Sequence, residues 1–223
     1  MDKKRKNEQK MKFDNLLRRT KSSLENLGWR LLTPFLHLYF NEKHFEELYQ
    51  KKTDPWNYEN YEFEKEKYQK TLEAIPSDVQ TIWEIGCSEG LFTKLLLSKG
   101  KEVFGVDISE TALLRARERL KDYGDKIHLQ KLDITREDID GTFDLVLASE
   151  ILYYLGGKNV LLPLEEKFYR HLRAGGYLLF CHFYPSGKII HDIFRENNRF
   201  QEVFEEVTHH PHRDYIITLL KRQ

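Results

Sequence analysis

From residue 81 onward, short apolar runs alternate with segments that have helical periodicity. Five runs have the length of strands, and they cover residues 81–85, 103–106, 127–132, 143–148 and 177–183. The run at 143–148 is continuously apolar, as in strands that are buried on both faces of a parallel sheet. Helical patterns occupy residues 91–98, 113–120, 159–172 and 189–194. This alternation predicts an α/β fold with a doubly wound, mostly parallel sheet.

Two later segments, residues 203–208 and 215–220, alternate apolar and polar positions and predict a closing antiparallel hairpin. They bring the predicted sheet to seven strands. The connection at 209–212 has the sequence HHPH, and histidine is a common metal ligand. Cysteine and carboxylate residues at matching spacing are absent from the sequence, and Pro211 interrupts the group. An exposed polar loop is therefore predicted rather than a metal site.

The first forty residues differ from the rest in composition. Residues 1–12 are almost entirely charged or polar and are predicted to be a solvating tail. Residues 13–40 combine the pattern of a basic amphipathic helix with a short apolar stretch. That stretch could pack on the domain, on a second subunit or at an anionic membrane surface, and packing on the domain or a subunit is favoured.

Aromatic and charged side chains are dense in residues 44–76. The sequence DPW at 54–56 predicts a turn, and residues 61–74 predict a helix that a proline ends. Aromatic residues outside the core pattern suggest a lid or a substrate-binding face, although a helix seated on the sheet edge would also use them. We therefore predict a basic N-terminal helical extension, 1–43, and one domain, 44–223, that begins with an aromatic-rich lid.

Composition narrows the function classes. The chain has 223 residues, a formal net charge of zero and two cysteines. A zero net charge disfavours a dedicated nucleic-acid binder. Cys87 and Cys181 lie in apolar strands without partners at metal-binding spacing, which favours a reduced, cytoplasmic setting. Apolar runs stay short of the roughly 18 residues that a membrane span needs, and the lysine-rich start lacks the apolar core of a signal peptide.

Residues 81–90, TIWEIGCSEG, predict a strand, a tight glycine turn and the start of a helix. Gly86 and Gly90 let the backbone pass close to a ligand. Asp107 ends the next strand, where an acid can accept both hydroxyls of a ribose. A dinucleotide-binding turn has a further glycine that is missing here, and Glu89 would place negative charge against a diphosphate. A nicotinamide-dependent oxidoreductase is therefore disfavoured.

The spacing Glu-x-Gly-x-x-x-Gly at 84–90, followed by Asp107, resembles the first two motifs of the class I S-adenosylmethionine-dependent methyltransferases. The cofactor of that class is cationic and carries no phosphate, so Glu84 and Glu89 match its charge. The resemblance implies a Rossmann-like methyltransferase fold and S-adenosylmethionine as the cofactor.

Further segments resemble the rhizobial nodulation methyltransferases. They are DPW at 54–56 followed by Tyr68 and Leu72, EIGCS at 84–88 and SEILYYL at 149–155, and the resemblance covers about residues 44–185. Members of that family methylate the free amine of a chitooligosaccharide, and its wider relatives act on small molecules and sugars. The resemblance therefore implies a small-molecule or saccharide acceptor.

The resemblance also implies cofactor contacts from the glycine turn, the strand ends and the lid: Trp56, Tyr68, Glu84, Gly86, Ser88, Gly90, Asp107, Ile108, Asp133, Ile134 and Ser149. The turn residues would surround the methionine portion, and Asp107 with Ile108 would hold the ribose. Asp133 would bind the adenine amino group, with Ile134 beside the ring. From the sequence, a capping role for Asp133 in the turn at 135–138 is equally open.

Methyl transfer from a sulfonium is an in-line displacement, so placing the groups and excluding water matter more than covalent machinery. A hydroxyl acceptor needs a base, whereas an amine must arrive unprotonated. The candidates are Glu150, Tyr153 and His182, at the ends of the fourth and fifth strands. A histidine has a suitable ordinary pKa, but a lone histidine on an apolar strand is also a common core residue. Glu150 could instead cap the next helix or contact the cofactor, and Tyr153 could orient the acceptor.

Taken together, these patterns predict an S-adenosylmethionine-dependent methyltransferase that modifies a nitrogen or oxygen of a small molecule or saccharide. The Asn/Asp-Pro-Pro-aromatic motif that accompanies amino methylation of nucleic-acid bases is absent after the fourth strand. A partner subunit or scaffold that binds the cofactor without catalysis is the alternative, because no residue is compelled to act as a base.

Overall fold

A computed structural model describes residues 40–223 of the chain. The seven strands are β1 Thr81–Ile85, β2 Glu102–Asp107, β3 Ile127–Lys131, β4 Phe143–Ser149, β5 Leu172–Phe183, β6 Phe200–Thr208 and β7 Tyr215–Arg222. The helices are α1 Glu42–Lys51, α2 Glu62–Glu73, α3 Leu91–Ser98, α4 Glu110–Leu120, α5 Leu152–Leu155, α6 Lys158–His171 and α7 Ser186–Ile193, and Lys121–Lys126 forms a 3₁₀ helix.

All seven strands form one sheet in the order β3-β2-β1-β4-β5-β7-β6. Strands β1 to β5 are parallel to one another, and β7 is antiparallel to both β5 and β6. The prediction of a doubly wound, mostly parallel seven-stranded sheet is therefore confirmed. Strand order reverses at β1, which pairs with β2 on one side and β4 on the other. Ligands bind open α/β sheets at such a switch point, beyond the carboxyl ends of the strands.

The sheet has a hydrophobic core on each face. Successive strand residues point to opposite faces, so Ile82 joins one core and Trp83 the other. The core around Trp83 is completed by residues of α5, α6 and α7, including Phe168. The core around Ile82 is completed by residues of α2, α3 and α4, including Leu96. The molecule is thus a three-layer α/β/α sandwich.

Local sequence signals explain where helices begin. Ser109 precedes α4, and its hydroxyl accepts a hydrogen bond from the amide of Ala112, so Ser109 is the N-cap of this helix. Gly90 precedes α3 with a φ of 78°. A Cβ at Gly90 would lie 3.0 Å from Leu120 and 3.2 Å from Ala116, so this glycine also allows α4 to pack closely.

Three local predictions were wrong or incomplete. Helix α1 was not predicted, although Asn41 caps it by accepting a hydrogen bond from the His44 amide. The predicted strand at 177–183 starts earlier, at Leu172, and residues 173–176 form an irregularity inside β5, because Leu172 pairs with Phe143 and Tyr177 with Leu145. Helix α7 begins at Ser186, ahead of the predicted helix at 189–194.

The predicted domain boundary at residue 44 falls inside α1, which starts at Glu42. The predicted tail at 1–12 and most of the predicted contact segment at 13–40 lie outside the described residues. Within residues 40–223, no helix has both the length and the apolar character needed to cross a membrane.

Candidate functional site

A cleft opens at the carboxyl ends of β1, β2 and β4, where the sheet topology places ligand sites. It encloses about 1000 Å³ of space free of protein atoms, its open mouth included. Predicted residues that line it are Trp56, Gly86, Ser88, Asp107, Ile108, Ile134, Ser149, Glu150 and Tyr153. A smaller pocket continues inward and adds Tyr68 and Glu84. Gly90, Asp133 and His182 do not line either space.

The glycine turn and Asp107 form one rigid corner of the cleft. The amide of Ser88 donates to Oδ2 of Asp107 and the amide of Ser109 donates to Oδ1, each at 2.9 Å. Burial raises the pKa of Asp107 above its ordinary value, and these amides oppose that shift. Gly86 has a φ of 73°, and a Cβ there would approach Ile151 to 3.1 Å. The backbone therefore faces the cleft without a side chain.

Glu84 lies in the inner pocket and is almost completely buried. The hydroxyl of Thr93 donates to it at 2.6 Å. Burial raises the pKa of Glu84 to about 8, which the Thr93 hydrogen bond only partly offsets. A cationic ligand group beside Glu84 would favour the ionised carboxylate.

Helix α1 and the following turn cover the cleft near Asp107. The hydroxyl of Tyr49 lies 2.6 Å from that of Ser88. Glu46 accepts hydrogen bonds from Ser109, at 2.7 Å, and from the hydroxyl of Thr111. Burial opposes ionisation of Glu46, but the hydrogen bonds from Thr111 and Ser109 outweigh it and lower its pKa to about 2. The lid is thus held by polar contacts at the cleft edge.

The sequence suggested that Glu89 would face the cofactor, but Glu89 lines neither the cleft nor the inner pocket. Its carboxylate pairs with Arg115 at 2.6 Å and accepts the amide of Asp54 at 3.1 and 3.2 Å. Arg115 also donates to the carbonyl oxygen of Tyr49 at 2.9 Å. The expectation that Glu89 matches the cofactor charge was wrong, because the side chain instead joins α4 to the lid.

Glu150 is the centre of a polar cluster on the other side of the cleft. Lys67 of α2 donates to its Oε1 at 2.9 Å, and the phenol of Tyr153 donates to its Oε2. The amide of Phe183 lies 3.4 Å from the same Oε2. Burial raises the pKa of Glu150, but the charge of Lys67 and the hydrogen bonds from Tyr153 and Lys67 bring it below the ordinary value. Glu150 also has a φ of 55°, a strained backbone conformation for a residue other than glycine.

His182 is fully buried and turned away from the cleft. Its Nε2 accepts the amide of Leu152 at 3.1 Å, so Nδ1 donates to Nε2 of His191 at 2.9 Å. Nδ1 of His191 then donates to the hydroxyl of Thr218 at 2.8 Å. Burial is the main cause that lowers the pKa of His182 to about 4. These contacts describe a neutral core histidine, and they oppose the predicted role of His182 as a base.

Two more predicted contacts are positioned for other tasks. The Oδ1 atom of Asp133 accepts the amide of Thr135 at 3.0 Å and its hydroxyl at 2.6 Å, so Asp133 caps the following turn. Gly90 faces Ala116 and Leu120 rather than the cleft.

Several lining residues were not predicted from the sequence, among them Phe45, Tyr58, Glu64, Lys67, His212 and Arg213. A usable signal existed for Lys67, because Phe63, Lys67 and Thr71 recur every fourth residue on the buried face of α2. The loop that carries His212 is mostly exposed, as predicted. It also contacts the start of α2, with the His212 ring 4.9 Å from that of Tyr61 and 5.1 Å from that of Phe63.

The sequence of the chain is similar to those of known proteins. A sequence model of the nodulation protein S (NodS) family matches residues 42–184. The chain is 27% identical over 129 residues to nodulation protein S of Azorhizobium caulinodans, which is 57% of this chain and 61% of the relative. It is 28% identical over 156 residues to phosphoethanolamine N-methyltransferase 1 of Arabidopsis thaliana, 65% of this chain and 31% of the relative.

The fold also resembles a solved member of that family. The crystal structure of the N-methyltransferase NodS from Bradyrhizobium japonicum WM9 in complex with S-adenosyl-L-homocysteine superposes with a TM-score of 0.73 at 23% identity. The match covers 82% of this chain and 98% of that one. By contrast, the chain spans less than two thirds of the length of the curated nodulation proteins, between 54% and 61% for three of them.

Proposed function

The chain belongs to the nodulation protein S family, and from that premise we propose that it is an S-adenosylmethionine-dependent N-methyltransferase whose acceptor is an amine on a saccharide or small molecule. One observation carries the proposal: the glycine turn, Asp107 and the Glu150 cluster line a single cleft. The names of the similar proteins, NodS and phosphoethanolamine N-methyltransferase, support nitrogen as the acceptor atom.

The residues of the cleft suit this cofactor. The bare backbone at Gly86 admits a chain of ligand atoms, and Asp107 retains lone pairs that can accept ribose hydroxyls. Ile108, Leu132 and Ile134 offer an apolar wall for an adenine ring. Glu84, whose pKa is about 8, can ionise against the cofactor ammonium or sulfonium. When bound, the cofactor supplies an electrophilic methyl group on cationic sulfur.

The Glu150 cluster suits an amine acceptor. The nitrogen lone pair forms the new N–C bond as the C–S bond breaks, so positive charge grows on nitrogen. The ionised Glu150 and the phenol of Tyr153 that it orients lie where they can stabilise that charge. A carboxylate with a lowered pKa is a weak base, which suits an amine that arrives neutral better than a hydroxyl that must lose a proton.

Calorimetry with S-adenosylmethionine and S-adenosylhomocysteine tests the cofactor site. We expect Asp107→Ala to weaken binding about ten- to a hundredfold, because hydrogen bonds to a charged group contribute about 1.5–3 kcal/mol. Asp122→Ala, at an exposed acid of the 3₁₀ helix, is the matched control and should bind like the wild type.

Mass spectrometry of methylated products then tests the reaction, with amino sugars, deacetylated chitooligosaccharides and phosphoethanolamine offered beside their hydroxyl analogues. Transfer to the amines alone is expected. Absence of cofactor binding in the wild type would overturn the proposal, and binding without transfer to any amine would favour a non-catalytic subunit.

A further inference from the structure

Lys67 is a buried lysine on helix α2, in direct contact with Glu150. Its side chain is only 2% exposed, which lysine rarely is unless it is paired. Its Nζ lies 2.8 Å from Oε2 of Glu64 and 2.9 Å from Oε1 of Glu150. Glu150 is 83 residues away in sequence, so this contact joins helix α2 to the residue that follows β4. Lys67 lines both the cleft and the inner pocket.

We propose that Lys67 is a positioning residue that keeps Glu150 ionised at the acceptor end of the cleft and thereby holds the Tyr153 phenol in place. What the ionised Glu150 is for rests on the proposed function, whereas the dependence of its charge on Lys67 does not. Lys67 has no role as a base, because two carboxyl groups hold its ammonium in the charged form.

The charge of Glu150 depends on a balance between burial and its neighbours. Burial disfavours the carboxylate, and the positive charge of Lys67 is the strongest influence that favours it. The titratable and charged groups that face Glu150 come from the lid, α2, α5, β5 and the β6–β7 loop: Tyr58, Glu64, Lys67, Tyr153, Tyr154, Cys181, His182 and Arg213. In this set Lys67 is the cation in direct contact with the carboxylate.

The two carboxylate oxygens of Glu150 accept from different donors. Oε1 of Glu150 accepts from Lys67, and Oε2 accepts from the phenol of Tyr153. Protonation of Glu150 would make its Oε2 a neutral acceptor, and the hydrogen bond from the phenol would weaken. Loss of Lys67 would therefore remove the negative charge near the acceptor nitrogen and weaken the contact that orients Tyr153.

Lys67→Met is the variant that separates this role from simple support of the fold. Lys70→Met is the matched control, since Lys70 lies one turn along α2 and pairs at the surface with Glu206 at 3.0 Å. The readout is the ratio of variant to wild-type methylation rate across pH, a ratio that cancels ionisation of the acceptor itself. With Lys67 removed, burial raises the pKa of Glu150, so Glu150 is protonated at low pH and ionises only as the pH rises.

We expect the Lys67→Met ratio to be small near pH 6 and to climb at least tenfold towards pH 8 or above, a shift of about two pH units or more in the acid limb. The Lys70→Met ratio should be independent of pH. A Lys67→Met ratio that is equally independent of pH would overturn the proposal, because a loss of packing alone lowers the rate at every pH.

A second readout does not depend on turnover. Carbon-13 NMR of glutamate-labelled protein, with the Glu150 signal assigned through Glu150→Gln, follows the carboxyl group directly. It should stay ionised from about pH 5 to pH 8 in the wild type and titrate within that range in Lys67→Met. Titration of Glu150 at the same pH in both proteins would refute the role of Lys67. If the wild type methylates no amine, the proposed function fails. The NMR titration still tests whether Lys67 keeps Glu150 ionised.

Lys67→Met leaves two buried carboxyl groups without their cation, and this can prevent folding. The double variant Lys67→Met/Glu150→Gln removes the Glu150 carboxyl group as well, so one of the two carboxyl groups, that of Glu64, remains. This variant provides the second test. We expect it to fold, to be slow, and to have a rate ratio that does not change with pH. A double variant with the same pH-dependent ratio as a folded Lys67→Met would show that Glu150 is not the group concerned, and would overturn the proposal.

Discussion

At the scale of the single residue, the environment of His182 is set by a chain of buried hydrogen bonds. The chain leads from the Leu152 amide through His182 and His191 to Thr218, whose hydroxyl lies 3.2 Å from Glu205. Each ring has one nitrogen that donates and one that accepts, which requires both histidines to be neutral. Burial lowers the pKa of both rings, in agreement with this arrangement. His182 thus supports the start of α5, next to the strained Glu150.

We expect His182→Phe to lower the free energy of unfolding by about 1–3 kcal/mol, because the Leu152 amide and His191 lose a buried partner. Urea denaturation measures this loss. His128→Phe on β3 is the control, since His128 is exposed and stacks on Phe104 at 4.6 Å. The rate profile across pH should keep its shape in His182→Phe. A variant as stable as the wild type that loses an ionisation from that profile would instead identify His182 as the base.

Individual residues differ in how far the sequence predicts them. Gly86 and Asp107 were placed in the cleft because each follows a recognisable strand, and a strand end is fixed by nearby sequence. Lys67 was missed because its partner Glu150 lies 83 residues away, and only the packing of α2 brings them together. Asp133 was ambiguous because a capping carboxylate and a ligand-binding carboxylate follow a strand in the same way. In the structure it caps.

At the scale of elements, the lid segment at residues 42–58 is attached to the glycine turn and α4 by charged contacts. Glu89 is buried and accepts from Arg115 on α4 and from the Asp54 amide in the lid. Glu46 of α1 accepts from Ser109 at the start of α4. The same α4 that packs on the sheet therefore also holds the lid over Asp107.

Glu89→Gln tests this attachment. It removes the charge that holds Arg115, and a hydrogen bond to a charged group contributes about 1.5–3 kcal/mol. We expect S-adenosylhomocysteine to bind about tenfold more weakly or worse, with α1 more open to limited proteolysis. Glu110→Gln is the control, because Glu110 pairs with Arg117 of the same helix and both side chains are more than 40% exposed. Unchanged affinity and proteolysis in Glu89→Gln would contradict the attachment.

Element prediction succeeded where periodicity alone decides and failed where tertiary contacts decide. The buried strands and α3, α4 and α6 were found because each has a clear apolar pattern between turn residues. Helix α1 was missed because its sequence EKHFEELYQK is mostly polar, and only Phe45 and Tyr49 are buried on the domain. Residues 173–176 contain glycines, which suit both a turn before a strand and a bulge inside one, so the sequence did not show that β5 already begins at Leu172.

At the scale of the whole molecule, the candidate site and the antiparallel strands lie in different parts of the sheet. The cleft lies over β1, β2 and β4 and is covered by the lid, whereas β6 and β7 form an antiparallel edge. The overall topology was predictable because alternating strands and helices leave few ways to build a parallel sheet. The cleft location followed from that topology. Which side chains meet there depended on the lid, whose contacts are distant in sequence.

This division predicts a regional response to ligand. S-adenosylhomocysteine at about a hundred times its dissociation constant should stabilise the fold by about 2.7 kcal/mol, because it binds only the folded state. Hydrogen exchange should slow most in residues 42–58, since Phe45, Tyr49 and Trp56 line the cleft and local opening of the lid would expose the ligand. Amides of β6 that exchange through local fluctuations at the sheet edge should be unaffected. Asp107→Ala at the same ligand concentration is the control, and both effects should shrink with its weaker binding. Equal slowing in the lid and in β6 would show that the ligand stabilises the fold as one unit, and that the lid does not open separately from the sheet.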